Sequence, residues 1–215
     1  MVHQLRRQHV AWRQGAPLKT LDVLVDIDGV LYPFPEVFTP YASDQLGRHL
    51  ELDTTRWEFY EEWGLDYAGF VELVTQGVDE RRLWWEGAPY ADVPGAIERI
   101  QRGGHRIHLV TARDITGIEA ALAATNHWLA EHGFVVESVN LAQDKPRVLA
   151  QLGLDPAGCV AVDDGPHHVL AWEGAGVVAM VLDRWGTYRG DHRAARDLDG
   201  FADFVERIAD GSWSA

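Results

Sequence analysis

Two aspartates stand two residues apart where an apolar segment of the sequence ends. The segment LDVLV at 21–25 is followed by Asp26 and Asp28, as expected for a buried strand with carboxylates at its C-terminal end. In extended backbone both carboxylates point the same way and repel unless a cation or a shared proton lies between them. A divalent metal site is one interpretation, and an acidic structural turn is the other. A calcium loop is excluded, because Val30 and Val37 would occupy its ligand positions.

A second acidic pair, Asp163 and Asp164, follows another apolar segment, and Gly165 and Pro166 then end that strand and open a helix. Oxygen-rich sites select Mg²⁺, which keeps several waters and takes one or two protein carboxylates together with ligand phosphate. Taken alone, the second pair would be a helix N-cap more often than a metal site. Together the two pairs predict four carboxylates at one edge of a sheet, with Mg²⁺ as cofactor.

Thr111 and Lys145 supply groups that a phosphate ligand would need. Thr111 ends the segment LVT, where a hydroxyl and a backbone N–H can bind an anionic oxygen, although a helix cap would use the same residue. Lys19 and Lys145 are the only lysines of the chain, and Lys145 lies at a predicted helix start, where the helix dipole disfavours a cation. A point charge required beside a phosphoryl group explains this placement.

Strand and helix patterns alternate along the chain. After the first strand, apolar β-branched segments predict strands at 105–111, 134–139, 159–164 and 177–182. Helical patterns lie between them at 93–102, 115–132, 145–152 and 167–172. This alternation is typical of a Rossmann-like α/β fold, in which a parallel sheet is covered on both faces and ligands bind at the carboxyl ends of the strands.

One segment is too long for an ordinary connection between a strand and the next helix. Residues 33–90 are therefore expected to form a small α-helical cap inserted after the first strand, with residues 21–32 and 91–215 as the core. Amphipathic patterns in the cap predict helices at 41–50, 54–63, 67–76 and 79–85.

The cap region is rich in aromatic residues. Residues 32–90 hold 13 of the 22 aromatic residues of the chain. Aromatic residues at helical spacing are more often core than pocket, so we expect roughly two thirds of them to serve packing. The others would stack on a flat ring of a substrate, at ~1 to 3 kcal/mol for each stack. Phe34 and Phe38 are the candidates, because they are nearest in sequence to Asp26.

The composition of the chain disfavours several other classes of protein. A formal charge of −14 in 215 residues disfavours binding to a nucleic-acid polymer, and no apolar run is long enough for a membrane span. The single cysteine, Cys159, excludes an internal disulfide and suits a reducing compartment, so a cytoplasmic location is expected. Residues 1–20 contain four cations and no acid, and are interpreted as a basic N-terminal arm.

The motifs DIDGV, LVT, DK and VDD, each at a strand end or the helix after it, resemble those of the haloacid dehalogenase-like superfamily. The resemblance implies an α/β core with a cap at the position of residues 33–90. It also implies that Asp26 is a nucleophile that forms an aspartyl-phosphate and that Asp28 is the general acid and base. Thr111 and Lys145 would then bind the phosphoryl group.

The same resemblance implies a magnesium site formed by the Asp26 carboxylate, the Asp28 backbone carbonyl and Asp164, with Asp163 behind them. The expected activity is magnesium-dependent hydrolysis of phosphomonoesters. An acid at position 28 argues against the dehalogenase branch, since a departing halide needs no proton.

A narrower resemblance is to the 5'(3')-deoxyribonucleotidase branch, carried by tracts such as VDDGPHHVLAWEGAG at 162–176. It makes a nucleoside monophosphate the expected substrate, and a homodimer is compatible with it. Ala112 and Arg113 follow Thr111 and are candidate substrate contacts, although a surface salt bridge would equally explain Arg113. The alternatives are a phosphatase of sugar or other metabolite phosphates and, from a different class, a non-catalytic binding module.

Overall fold

The computed structural model describes residues 19–213, which are built around one parallel sheet. The strand order is β3-β2-β1-β4-β5-β6, and every neighbouring pair is parallel. The strands are β1 (Asp22–Val25), β2 (Arg106–Thr111), β3 (Ser138–Leu141), β4 (Cys159–Asp163), β5 (Val178–Leu182) and β6 (Ala194–Ala195). The predicted Rossmann-like α/β fold is thereby confirmed. The basic arm predicted at 1–20 lies outside the described residues except for its last two.

Helices connect the strands and cover both faces of the sheet. The α-helices are α1 (Phe34–Leu46), α2 (Tyr67–Asp79), α3 (Val93–Arg102), α4 (Ile118–Glu131), α5 (Arg147–Leu152), α6 (Pro166–Gly174) and α7 (Leu198–Ala209). Shorter 3-10 helices lie at Phe59–Trp63, Arg113–Thr116 and Pro156–Gly158. Between residues 19 and 213, none of the helices is long and apolar enough to cross a membrane.

The alternation of side chains along β1 explains the two cores. Val23 and Val25 point to one face and pack with residues of α3, α4 and α7. Leu24 points to the other face and packs with α5 and α6. All four residues of β1 are buried, as expected for a central strand covered on both sides.

Several element boundaries differ from the sequence prediction. The third strand lies at Ser138–Leu141 rather than 134–139, and Phe134 packs against the core from the preceding loop. Helix α4 begins at Ile118 because Gly117, with φ of 98°, separates it from the 3-10 helix. Helix α7 was not predicted at all.

The insertion at 33–90 is less helical than its pattern suggests. Helix α1 begins at Phe34, earlier than predicted, because two prolines favour a helix start there, and it ends at the left-handed Gly47. The segment 54–63 forms only a 3-10 turn, and 79–85 forms no helix after Asp79. The division into cap and core stays a prediction.

A tight turn follows β1, and Gly29 makes it feasible. Its φ is 75°, in the left-handed region that disfavours residues with a Cβ. A Cβ built on Gly29 would lie 1.9 Å from Oδ2 of Asp164, so the ends of β1 and β4 can approach only because no side chain is present.

We expect Gly29→Ala to lower the free energy of unfolding, measured by urea denaturation. The left-handed backbone costs an alanine about 1 to 2 kcal/mol, and the collision with Asp164 adds about 1 to 3 kcal/mol. Gly47→Ala is the matched control, because Gly47 has a φ of 62° and open space around its Cα. Equal losses in the two variants would contradict the close approach of the two strand ends.

Candidate active site

The ends of three neighbouring strands meet at one edge of the sheet. Because β1 lies between β2 and β4, the residues that follow these strands converge, and the backbone N–H of Asp26 donates to the carbonyl of Val162 at 3.1 Å. A cavity of about 280 Å³ opens at this edge. Its closed end is lined by the predicted residues Asp26, Asp28, Thr111, Ala112, Arg113, Lys145 and Asp164.

Lys145 joins the two acidic pairs. Its Nζ lies 2.9 Å from Oδ1 of Asp26 and 2.6 Å from Oδ2 of Asp163, and all three side chains are buried. Burial alone would lower the pKa of Lys145, but the carboxylates of Asp163 and Asp26 outweigh it and raise that pKa above its usual value. Lys145 therefore carries a permanent positive charge between two strand ends.

Three carboxylates form an acidic cluster beside Lys145. Oxygens of Asp26, Asp163 and Asp164 lie within 4.8 Å of one another. Oδ1 of Asp164 is buried and has no hydrogen-bond partner among the described residues, which is costly for a polar atom. Asp163, in contrast, accepts from Lys145 and, through Oδ1, from the backbone N–H of Gly165 at 3.0 Å. Asp26 and Asp164 could hold a divalent cation, with Asp163 orienting Lys145 behind them.

The electrostatics of the cluster also favour a bound cation. Burial, together with the neighbouring carboxylates of Asp163 and Asp28, raises the pKa of Asp26 to about 6 even though the Lys145 charge lowers it. Burial and the Asp26 charge raise the pKa of Asp164 well above its usual value. With Asp28, four carboxylates face two buried cations, Lys145 and Arg113, so a divalent cation would neutralise the excess negative charge.

Arg113 forms a buried ion pair with Asp28 rather than a salt bridge at the protein surface. Its Nε and Nη2 donate to the two carboxylate oxygens of Asp28, each at 2.8 Å, and its Nη1 donates to Oγ1 of Thr125 at 2.9 Å. The Arg113 side chain is fully buried, whereas 24% of the Asp28 side chain is exposed. The salt bridge of Arg113 is therefore buried rather than at the surface, and the expectation that Arg113 contacts substrate stays a prediction.

Aromatic side chains form the outer walls of the cavity. Most come from the insertion, and one comes from the loop after β5: Phe34, Trp57, Phe59, Tyr60, Tyr67, Phe70, Trp84 and Trp185. Trp57 and Trp185 are 44% and 37% exposed, so their rings are accessible to a ligand. Sequence reasoning did not single out either tryptophan.

Phe38 does not reach the cavity. It is completely buried, and its ring packs against four others at centroid distances of 5.2 to 6.3 Å: Phe34, Phe59, Trp63 and Phe70. The expectation that Phe38 contacts substrate is therefore corrected, because these rings cover it on the inner side of α1. Phe34, one turn earlier on the same helix, lies at the cavity wall.

Other residues at this edge were also missed by sequence reasoning. Gln143 lines the cavity, and its Nε2 donates to the carbonyl of Ala112 at 2.8 Å. Arg184 fixes the turn after β1, since its Nε donates to the carbonyl of Gly29 at 3.1 Å and its Nη1 contacts Asp92 at 3.0 Å. Arg184 follows β5 by two residues, so its position at a strand end was the available signal.

Comparisons with solved structures show similar folds at low sequence identity. A predicted phosphatase from Clostridium acetobutylicum superposes with a TM-score of 0.65 at 12% identity, covering 87% of this chain and 98% of its own. CbbY from Rhodobacter sphaeroides, in complex with phosphate, has a TM-score of 0.55 at 18% identity, covering 84% and 95%. A defluorinating L-2-haloacid dehalogenase has a TM-score of 0.58 at 14% identity, covering 88% and 99%.

Among proteins with curated descriptions, none matches this chain. A family model described as haloacid dehalogenase-like hydrolase matches residues 23–176, which is more than half of the sequence and includes both acidic pairs, Thr111 and Lys145. The chain belongs to the haloacid dehalogenase-like hydrolase family.

Proposed function

We propose that this protein is a magnesium-dependent phosphomonoester hydrolase that forms an aspartyl-phosphate on Asp26. The observation that carries the proposal is the acidic cluster with Lys145 at the closed end of a cavity whose walls are largely aromatic. Asp26 and Asp164 would hold the metal. Bound magnesium supplies positive charge that offsets the repulsion between the Asp26 carboxylate and a phosphate dianion.

The chain supplies the other groups that the reaction requires. The Asp26 carboxylate attacks phosphorus, the bond from phosphorus to the leaving oxygen breaks, and Asp28 gives its proton to that oxygen. Asp28 then takes a proton from water as the water oxygen attacks phosphorus, which releases phosphate and restores Asp26. Lys145 and the hydroxyl of Thr111 stabilise charge on the phosphoryl oxygens.

Nucleoside monophosphates are the proposed substrates. Trp57 and Trp185 offer accessible flat rings at the cavity mouth, which suit stacking on a nucleobase. Among the described residues that line the outer part of the cavity, Arg56 is the one arginine or lysine, and it is paired with Glu61 and Glu62; His167 and His168 also line the cavity. A largely aromatic wall whose arginine is already paired suits a neutral planar leaving group better than a sugar hydroxyl cluster or a second phosphate.

We expect Asp26→Asn to lower phosphate release from nucleoside monophosphates at least 1000-fold, because an amide cannot attack phosphorus. Release of inorganic phosphate is measured with Mg²⁺ and with a chelator, and the chelated enzyme is also expected to be inactive. Asp191→Asn is the control, because Asp191 is exposed and is not among the residues that line the cavity. Turnover retained in Asp26→Asn, or without Mg²⁺, would exclude the mechanism, and halide release from a haloacid would favour a dehalogenase.

We expect Trp185→Ala and Trp57→Ala to raise KM for a nucleoside 5'-monophosphate by about 5- to 100-fold, which corresponds to one lost base stack. KM for ribose 5-phosphate, which lacks only the base, should change less than twofold. Trp213→Ala is the matched control, because Trp213 packs on Phe204 and Arg193 away from the cavity. Equal changes for both substrates, or turnover of sugar phosphates alone, would contradict the nucleotidase proposal.

The stability of the metal-free protein should depend on pH through the acidic cluster. The pKa of Asp26 is raised to about 6 in the folded protein, against 3.8 in the unfolded chain, so the folded state holds its proton more tightly. The free energy of unfolding should therefore fall as pH rises from 3.8 to about 6.

Mg²⁺ needs the deprotonated carboxylates, so it should raise Tm more at pH 7.5 than at pH 5. The measurement is thermal denaturation of wild type and Asp164→Asn, and the variant should show little response to Mg²⁺. A response to Mg²⁺ that is independent of pH, or intact in the variant, would argue against metal binding here.

A further inference from the structure

The buried guanidinium of Arg113 fixes the orientation of the Asp28 carboxylate. Two parallel N–H···O bonds of 2.8 Å, from Nε and Nη2, hold both oxygens of Asp28 in the plane of the guanidinium. A two-point contact of this kind restrains both side-chain torsions of an aspartate, which a single ammonium contact cannot do. Each carboxylate oxygen keeps a second lone pair, and the 24% exposure of the side chain is toward solvent in the cavity.

The guanidinium is itself held by distant parts of the chain. Its third nitrogen donates to Thr125 in α4. Tyr32 and Trp84 lie near its faces, with ring centroids 5.2 and 4.9 Å from Cζ, and the backbone N–H of Trp84 donates to the Tyr32 hydroxyl at 3.2 Å. Trp84 adopts a φ of 64°, a strained conformation for a tryptophan that surrounding contacts must maintain.

The contacts of Arg113 lie within the protein. Three of its five N–H groups, one on each nitrogen, donate to Asp28 and Thr125, and its side chain is fully buried. A residue that is this strongly restrained, and that touches only Asp28 among the proposed reacting groups, acts through Asp28.

We propose that Arg113 is a positioning residue for proton transfer, holding the Asp28 carboxyl toward the oxygen of the leaving group. The inference rests on the proposed function, in which the proton of Asp28 passes to that oxygen as its bond to phosphorus breaks. Replacing Arg113 with lysine would keep the positive charge beside Asp28. It would remove the two-point contact, so the Asp28 carboxylate would no longer be held in one orientation.

Leaving groups that differ in their need for a proton test this role. In a single turnover, Arg113→Lys should lower the rate of nucleoside release from a nucleoside 5'-monophosphate about 100-fold, within the range for general acid–base catalysis, and change KM less than threefold. The rate of 4-nitrophenolate release from 4-nitrophenyl phosphate, which needs no proton, should fall less than fivefold. Single turnovers are measured because the later attack of water, in which Asp28 is the base, is shared by both substrates. Thr125→Val, which removes one contact of Arg113 at similar volume, should show the same selectivity to a smaller extent and serves if Arg113→Lys does not fold.

Arg184→Lys is the structural control, because Arg184 is a second partly buried arginine at the site that contacts Asp92 and backbone carbonyls. It should lower the single-turnover rate of leaving-group release for both substrates by one common factor. If Arg113→Lys does the same, or if it raises KM with that rate unchanged, Arg113 is a structural residue or a substrate contact and the proposal is overturned.

Failure of the proposed function would be distinct. It would appear as turnover in Asp26→Asn, or as equal losses for the two substrates in the single-turnover rate of leaving-group release by Asp28→Asn. If Asp28→Asn discriminates between the substrates and Arg113→Lys does not, the mechanism stands and the positioning role is wrong.

Discussion

Like charges buried at the ends of two adjacent strands are the constraint on which this structure depends. Asp26 after β1 and Asp163 at the end of β4 would repel each other without Lys145 between them. Removing one partner of such a buried group leaves an uncompensated charge, which is strongly destabilising. The parallel register of β1 and β4 brings these strand ends together, and the bare Cα of Gly29 lets them approach closely.

A second buried ion pair serves a different purpose. Lys145 sits as a point charge among three carboxylates, whereas Arg113 makes a directed contact with one. Ammonium and guanidinium groups are suited to these separate tasks, charge balance in one case and orientation in the other. The chain has 19 lysines and arginines together and only two lysines, so the lysine at this site is a specific choice.

The strand ends could be predicted from sequence because their signals are local. An apolar segment followed by acids identifies a strand and its end, and parallel order then brings the ends together. The partner of Arg113 is 85 residues away, and no local pattern indicates it. Phe34 and Phe38 lie one turn apart on α1, so periodicity cannot tell which is covered by Phe59 and Trp63. Helix α7 also has a local signal in the sequence, because Asp197 is a suitable N-cap and the residues after it form an amphipathic pattern.

The insertion contributes aromatic residues, Pro35 and Arg56 to the cavity wall and none of the carboxylates at its closed end. Under the proposed function, the reacting groups therefore lie outside residues 33–90, whereas most of the residues that would contact the leaving group lie within them. Substitutions in residues 33–90 can alter which molecule fits without touching the reacting carboxylates, provided that Tyr32 and Trp84 still enclose Arg113. Under the role proposed for Arg113, those two aromatic residues are where a change of ligand would first reach the orientation of Asp28.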